Sequence, residues 1–255
     1  MSEAFDVAVG RLLADWTPRI GPPTCGPGCS NCCRRMSVFA SSGEALRLLA
    51  ALDHDPRASH WRAEWGARAG SLAAALDEGV SPEAALNVLL EQGPCVFLDA
   101  DRCGVYGARP DGCRACYVWH DASLCGSDEW DQCVPAELAT LRVDRAYQAM
   151  LDELEAGRRP FSGHLLPLVA DLDRFRSAYL AGDDLAALAT PQFVSGGLLE
   201  FPSGGDRSEI VWNLKERIAS AREQSRSARP FGLPRAGDAR SRVELAALPS
   251  GGARV

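Results

Sequence analysis

The sequence predicts a mainly α-helical protein: a helical domain around a small, irregular or two-stranded cysteine-rich metal centre. Three observations carry that expectation. Apolar residues recur at helical spacing through most of the first 181 residues. No strand–helix alternation of the doubly wound kind runs along the chain. All ten cysteines fall between Cys25 and Cys133, in stretches rich in Gly, Pro and Asp, and the last 122 residues have none.

Residues 3–16 read as an amphipathic helix, with Phe5, Val9, Leu12, Leu13 and Trp16 on one face. Pro18, Gly21, Pro22 and Pro23 should end it. Residues 36–40 suit a short extended stretch. Ser41 and Glu44 have capping-box spacing ahead of EALRLLAAL, which predicts a helix. Another is expected over 56–77, with Trp61, Trp65, Leu72 and Leu76 inward. Ser81-Pro82-Glu83 starts the next helix and Gly93 closes it. Residues 95–106 predict two short strands about an Asp-Ala-Asp-Arg turn. Residues 107–134 read as an irregular loop, of a length that is uncommon unless functional or held by something. Helices follow over 136–156 and 164–181. Residues 1–190 are thus expected to form the domain. Residues 191–255 read as a Pro-, Gly- and Arg-rich appendage with one helix over 208–221, carrying Ile210, Val211, Leu214 and Ile218, and with disorder from about 225.

A chain of 255 residues with 46% apolar content can bury a core without covalent staples. Ten cysteines therefore exceed what stability needs, yet fall short of the density of a disulfide miniprotein. No apolar run reaches about 18 residues, so no membrane span is expected. Glu3 and Asp6 stand where an export signal would be basic, which points to a reducing cytoplasm. There, clustered thiols bind metal or do redox chemistry rather than pair off. The net charge of −7 disfavours non-specific nucleic-acid binding, and no nucleic-acid partner is expected. The charge is uneven: residues 206–255 carry +4 and residues 1–205 carry −11, so a basic tail could touch a protein or peptide partner.

The cysteines form two groups. Cys25, Cys29, Cys32 and Cys33 are four thiols in nine residues; Cys95, Cys103, Cys113, Cys116, Cys125 and Cys133 are six in thirty-nine. Thiols two or three residues apart can grip one metal without closing a costly loop. The long insert then has only to bring the two grips together. Arg34, Arg35, Arg102, Arg109 and Arg114 are near cysteines in sequence and could offset the charge of a thiolate site. Gly26, Gly28, Gly104, Gly107 and Gly112 could let backbone N–H groups turn toward sulfur. In an extended segment Cys32 and Cys33 would point oppositely, which implies two sites or one multinuclear site. Zinc and iron, including a [4Fe-4S] cluster, are the metals such donors suit.

Other candidates are weaker. Cys25-x3-Cys29-x2-Cys32 has the spacing of a radical S-adenosylmethionine motif, but Asn31 replaces the usual aromatic and no barrel alternation follows. His120, between Trp119 and Asp121, could ligate. His54, His60 and His164 read as surface or packing residues, and Asp99, Asp101 and Asp111 as turn residues.

CGPGCSNCC followed by PCVFLDADRCGVYGARPDGCR resembles the YkgJ-like, or CxxCxxCC, cysteine-cluster family, over about residues 22–135. The matching residues are Cys25, Cys29, Cys32 and Cys33; Pro94, Cys95, Phe97 and Leu98; and Cys103, Tyr106, Arg109, Pro110, Cys113 and Arg114. The resemblance implies a zinc- or iron-chelating domain but no settled reaction. The family includes relatives of flagellin lysine N-methylases, which use S-adenosylmethionine. It therefore implies an alternative as well: an iron or iron–sulfur enzyme that modifies a protein or peptide. Cys116 stands where that family commonly has an aromatic, and Cys116, Cys125 and Cys133 enlarge its usual thiol set.

Overall fold

The structure is a computed structural model. It describes residues 2–25, 28–35, 37–114, 116–118, 122, 125, 136–196, 198–202 and 207–227. Cys133, His120 and the stretch from 228 onward, where disorder is expected, lie outside the described residues.

Helices dominate, as the apolar periodicity predicts. The first, α1 (Ser2–Ile20), runs through Pro18 rather than stopping before it. Proline removes one N–H from the ladder but does not forbid the last turn. Gly21 ends the helix instead, at φ +86, with its N–H on the Thr17 carbonyl at 2.9 Å. A short helix, α2 (Asn31–Arg35), carries Cys32 and Cys33. Strand β1 (Phe39–Ser41) leads into α3 (Ser42–Leu52). The expected capping box is present: Ser41 Oγ accepts from Glu44 N–H, and the Glu44 carboxylate accepts from Ser41 N–H at 2.8 Å. Helices α4 (Ala58–Asp77) and α5 (Pro82–Glu91) follow, the latter capped by Ser81 with Pro82 in its first turn.

The two-stranded hairpin is present as β2 (Leu98–Asp99) and β3 (Arg102–Cys103). Its turn residues Ala100 and Asp101 both have positive φ, as a tight hairpin turn requires. The region from 107 is not wholly irregular. A 3-10 turn at Tyr106–Ala108 precedes a helical turn, α6 (Asp111–Arg114). The long helices α7 (Ala136–Glu155) and α8 (Leu165–Ala181) follow.

A three-stranded antiparallel sheet went unpredicted. Strand β4 (Ser162–His164) lies between β1 and β5 (Leu199–Glu200), pairing Phe39 with His164 and Gly163 with Leu199. Strands of two or three residues are too short to show a period. α9 (Pro191–Ser195) precedes β5, and α10 (Arg207–Ser227) lies against α7 through Met150, Leu154, Ile210 and Leu214.

The main core is aliphatic and aromatic: Leu48, Leu49 and Leu52 of α3, Trp61, Trp65 and Leu72 of α4, and Leu168 and Leu172 of α8 are all buried. Phe193, Leu198 and Leu199 join the same core from beyond residue 190. Each such side chain contributes about 1.5–3 kcal/mol relative to exposure. Among the described residues no helix is long and apolar enough to cross a membrane.

Gly163 exists because β5 crosses it closely. A Cβ there would stand 2.3 Å from the Leu198 carbonyl oxygen and 2.7 Å from a Leu199 methyl. Gly163→Ala should therefore cost about 1–3 kcal/mol in chemical denaturation. Gly66→Ala, in α4 with open space around it, should be neutral or stabilising.

Candidate metal centre

The two cysteine groups meet because backbone bonds sew their segments together. Cys95 N–H donates to the Cys33 carbonyl at 2.6 Å, and Thr24 N–H donates to the Val118 carbonyl at 2.8 Å. The insert of α3, α4 and α5 carries the chain back to this junction. Arg68 of α4 guides the return: its Nη1 donates to the Gly93 and Pro94 carbonyls at 3.2 and 2.7 Å. The N–H of Gly104, just after Cys103, donates to the Phe97 carbonyl at 2.8 Å. A Cβ on Gly104 would meet the Trp61 ring at 2.6 Å. Glycine is needed there for close packing, where the sequence pointed to a turned N–H.

Nine cysteines are described, and none of them is in a disulfide. They fall into two sets. Cys32 is hydrogen-bonded by the thiols of Cys116 and Cys33, and it interacts electrostatically with Cys95, Cys103 and Cys113. Cys25 interacts with Cys29 and packs beside Cys125 and Val118. Cys32 is within electrostatic reach of Cys25 and so joins the sets. The adjacent Cys32 and Cys33 do not lie in an extended segment. They sit on α2, and both face the larger set, Cys33 meeting Cys95 and Cys113. Opposed side chains are thus no argument for two sites.

The sulfurs receive backbone hydrogen bonds. Val118 N–H donates to Cys25 Sγ at 3.0 Å. Backbone bonds at Phe97 and Val105 likewise favour the thiolates of Cys95 and Cys103. Such donors stabilise a thiolate. Burial acts the other way and prevails in the protein without metal: it pushes Cys95 up to about 11 and raises Cys103, Cys113 and Cys25. Cys32 is the exception, lowered by the Cys116 and Cys33 thiols that donate to it. Among the described residues, no group of three His, Cys, Asp or Glu is already disposed to hold a metal ion. The donor set nevertheless suits zinc or iron: soft sulfurs, two of them in adjacent residues, with N–H donors to the sulfur. Binding would replace thiol protons with metal.

The arginines divide by role. Arg109 faces the thiols: its charge favours the thiolates of Cys32, Cys103 and Cys113, and its guanidinium lies over the Tyr106 ring at 3.6 Å. Arg114 is a brace instead. It donates to both carboxylate oxygens of Asp6, at 2.8 and 2.6 Å, and to the Arg109 and Gly107 carbonyls. Arg34 pairs with Asp101 on the surface.

Asp111 is more than a turn residue. It is 3% exposed, and its carboxylate faces Arg47 at 3.3 Å and Arg145 at 3.7 Å. Its N–H donates to Glu44 Oε1 at 2.7 Å. The helical turn bearing Cys113 is therefore fastened to α3 and α7. His164, read from the sequence as a surface or packing residue, is half-buried at the start of α8. Its Nδ1 lies 2.9 Å from Ser37 Oγ, at a strand register that no sequence signal announced.

A cavity of about 290 Å³ opens against the larger thiol set. Cys32, Cys33, Cys95, Cys113 and Cys116 line one side; Trp65, Leu89, Phe97, Leu165 and Val169 line the other.

A helical domain that gathers nine described thiols at one junction defines a cysteine-cluster protein. Residues 24–133 match the model of the CxxCxxCC family, described as "Putative zinc- or iron-chelating domain". No curated protein and no solved structure matches the chain.

Asp111→Ala should loosen the Cys113 turn. The expected loss is about 1–3 kcal/mol in chemical denaturation, since Arg47, Arg145 and Glu44 lose a partner or its fixed geometry. Bound metal per chain, by elemental analysis, should fall with it.

Proposed function

We propose that the chain binds zinc or iron through thiolates of Cys25, Cys29, Cys32, Cys33, Cys95, Cys103, Cys113 and Cys116, with Cys125 and Cys133 as further donors. The observation that carries the reading is the convergence of two sequence-distant thiol groups on one junction, held by the Cys95–Cys33 backbone bond. The division into a larger and a smaller thiol set supports two adjacent sites or one multinuclear site. A bound metal would neutralise the charge of several thiolates and close the junction, so it should contribute to folding. Structural zinc in small domains contributes on the order of 10–16 kcal/mol of apparent binding free energy.

One observation favours a second reading, an iron or iron–sulfur enzyme acting on a protein or peptide. A closed structural site has no use for a cavity, whereas a reactive one needs an open position beside it. Here a cavity does open against the thiols.

Anaerobically purified protein should contain stoichiometric zinc or iron by elemental analysis. Visible absorption with sulfide-bearing iron would favour the enzyme; colourless zinc protein would favour a metal-holding role. Chelation, or Cys→Ser at Cys29, Cys32, Cys103 or Cys113, should lower the melting temperature by several degrees. A melting curve unmoved by any of these four substitutions would refute the role in folding.

A further inference from the structure

Holding a metal ion needs the thiol side of the cavity but not the side opposite. That second side is apolar and continuous with the main core: Trp65, Leu89, Phe97, Leu165 and Val169 are all buried core residues. Native cores leave few voids larger than a water molecule. A space of about 290 Å³ is instead close to the lower end of small-molecule sites, roughly 300–1,000 Å³.

We propose that this cavity binds a small, uncharged, apolar organic molecule and presents one end of it to the cysteine centre. The proposal rests on the metal-binding reading only for what that end meets.

The walls select against charge of either sign. Away from the cysteines, the described lining residues include no Asp or Glu, so an ammonium group there would find no counter-charge. The single charged residue is Arg68, and its guanidinium is committed. Nε and Nη2 donate to Glu64 at 2.9 and 2.7 Å, and Nη1 holds the Gly93 and Pro94 carbonyls. It is a strut for the wall rather than a receptor for an anion. The polar handle is Ser37, whose hydroxyl lies 2.9 Å from His164 Nδ1. A hydroxyl so placed can donate or accept one hydrogen bond, which suits a neutral oxygen or nitrogen on the ligand. Burial lowers the proton affinity of His164 and so keeps the pair neutral. Phe39 is 42% exposed beside Ser37 and marks the mouth.

The test uses the full chain loaded with its metal. It is titrated with N-phenyl-1-naphthylamine, a neutral fluorescent probe, and with its anionic relative 8-anilino-1-naphthalenesulfonate. The neutral probe should bind saturably, one per chain, quench tryptophan emission through Trp65, and bind at least ~10-fold more tightly than the sulfonate. Val169→Phe and Leu90→Trp, which fill the cavity from two elements, should each weaken it by at least ~10-fold. Metal content should be unchanged in both. Should a variant fail to fold, benzophenone photolabelling of the native chain decides, and adducts should fall at the cavity-lining residues of segments 32–39, 65–68, 89–97, 112–116 and 165–169. Non-saturable binding, equal affinity for the anionic probe, undiminished binding by both folded variants, or labelling elsewhere would each overturn the proposal. Metal-loaded protein that ignores the probe counts against the cavity alone. Metal-free protein that binds it counts against the metal reading alone.

Discussion

The buried carboxylate of Glu44 joins three parts of the molecule that must be in place for the thiols to meet. One oxygen accepts from the backbone and hydroxyl of Ser41, both at 2.8 Å, where β1 turns into α3. The other accepts from Asp111 N–H at 2.7 Å, where the turn bearing Cys113 begins. Asp111 in turn faces Arg47 of α3 and Arg145 of α7. A helix cap, a sheet edge and the turn bearing Cys113 thus share one carboxyl group. Such a buried group is costly unless it is hydrogen-bonded, and here both oxygens are. The helical core around it therefore doubles as the frame for Cys113. Arg114 extends the frame to α1 through Asp6.

Within that frame the thiols are held in tension between burial and stabilisation. Desolvation raises Cys95, Cys103 and Cys113, so without metal these groups keep their protons. Backbone N–H donors and Arg109 pull the other way, and they are already aimed at sulfur. A soft cation supplies the charge that burial otherwise denies, and the N–H donors then act on ligated thiolates. This explains why nine described thiols can crowd together, without a disulfide and without a ready-made coordination cage, and still be a metal-binding arrangement.

The long helices were legible because each carried its own signal, a period or a cap such as Ser41 with Glu44 or Ser81 with Pro82; the short α2, α6 and α9 carried none. The hairpin at 98–103 was legible from its turn. The three-stranded sheet was not, since pairing Phe39 with His164 joins residues 125 apart in sequence through strands too short to alternate. The thiol groups could be named from spacing, but not their mutual placement. That depends on single long-range bonds, such as Cys95 to the Cys33 carbonyl, which leave no mark on the sequence. Beside Cys113, Arg114 reads as charge balance for a cluster and Asp111 as a turn residue. Only their partners, Asp6, Arg47 and Arg145, show that they brace the segment.

The cavity refines what the thiol sets can do. Its thiol side consists of Cys32, Cys33, Cys95, Cys113 and Cys116, which belong to the larger set; Cys25, Cys29 and Cys125 are not among the described lining residues. A ligand in the cavity would therefore meet the larger set. The smaller set lies against Val118 and Ala122 instead. Two metal positions in this junction would then be chemically unequal. The one at the larger set would border a low-dielectric apolar space, where a soft cation's field on a neutral ligand is little screened. The one at Cys25 would instead lie where Thr24 and Cys25 are hydrogen-bonded to Cys116 and Val118. Unequal exposure of this kind is how a single cluster of like residues can hold one metal for stability and offer another for chemistry.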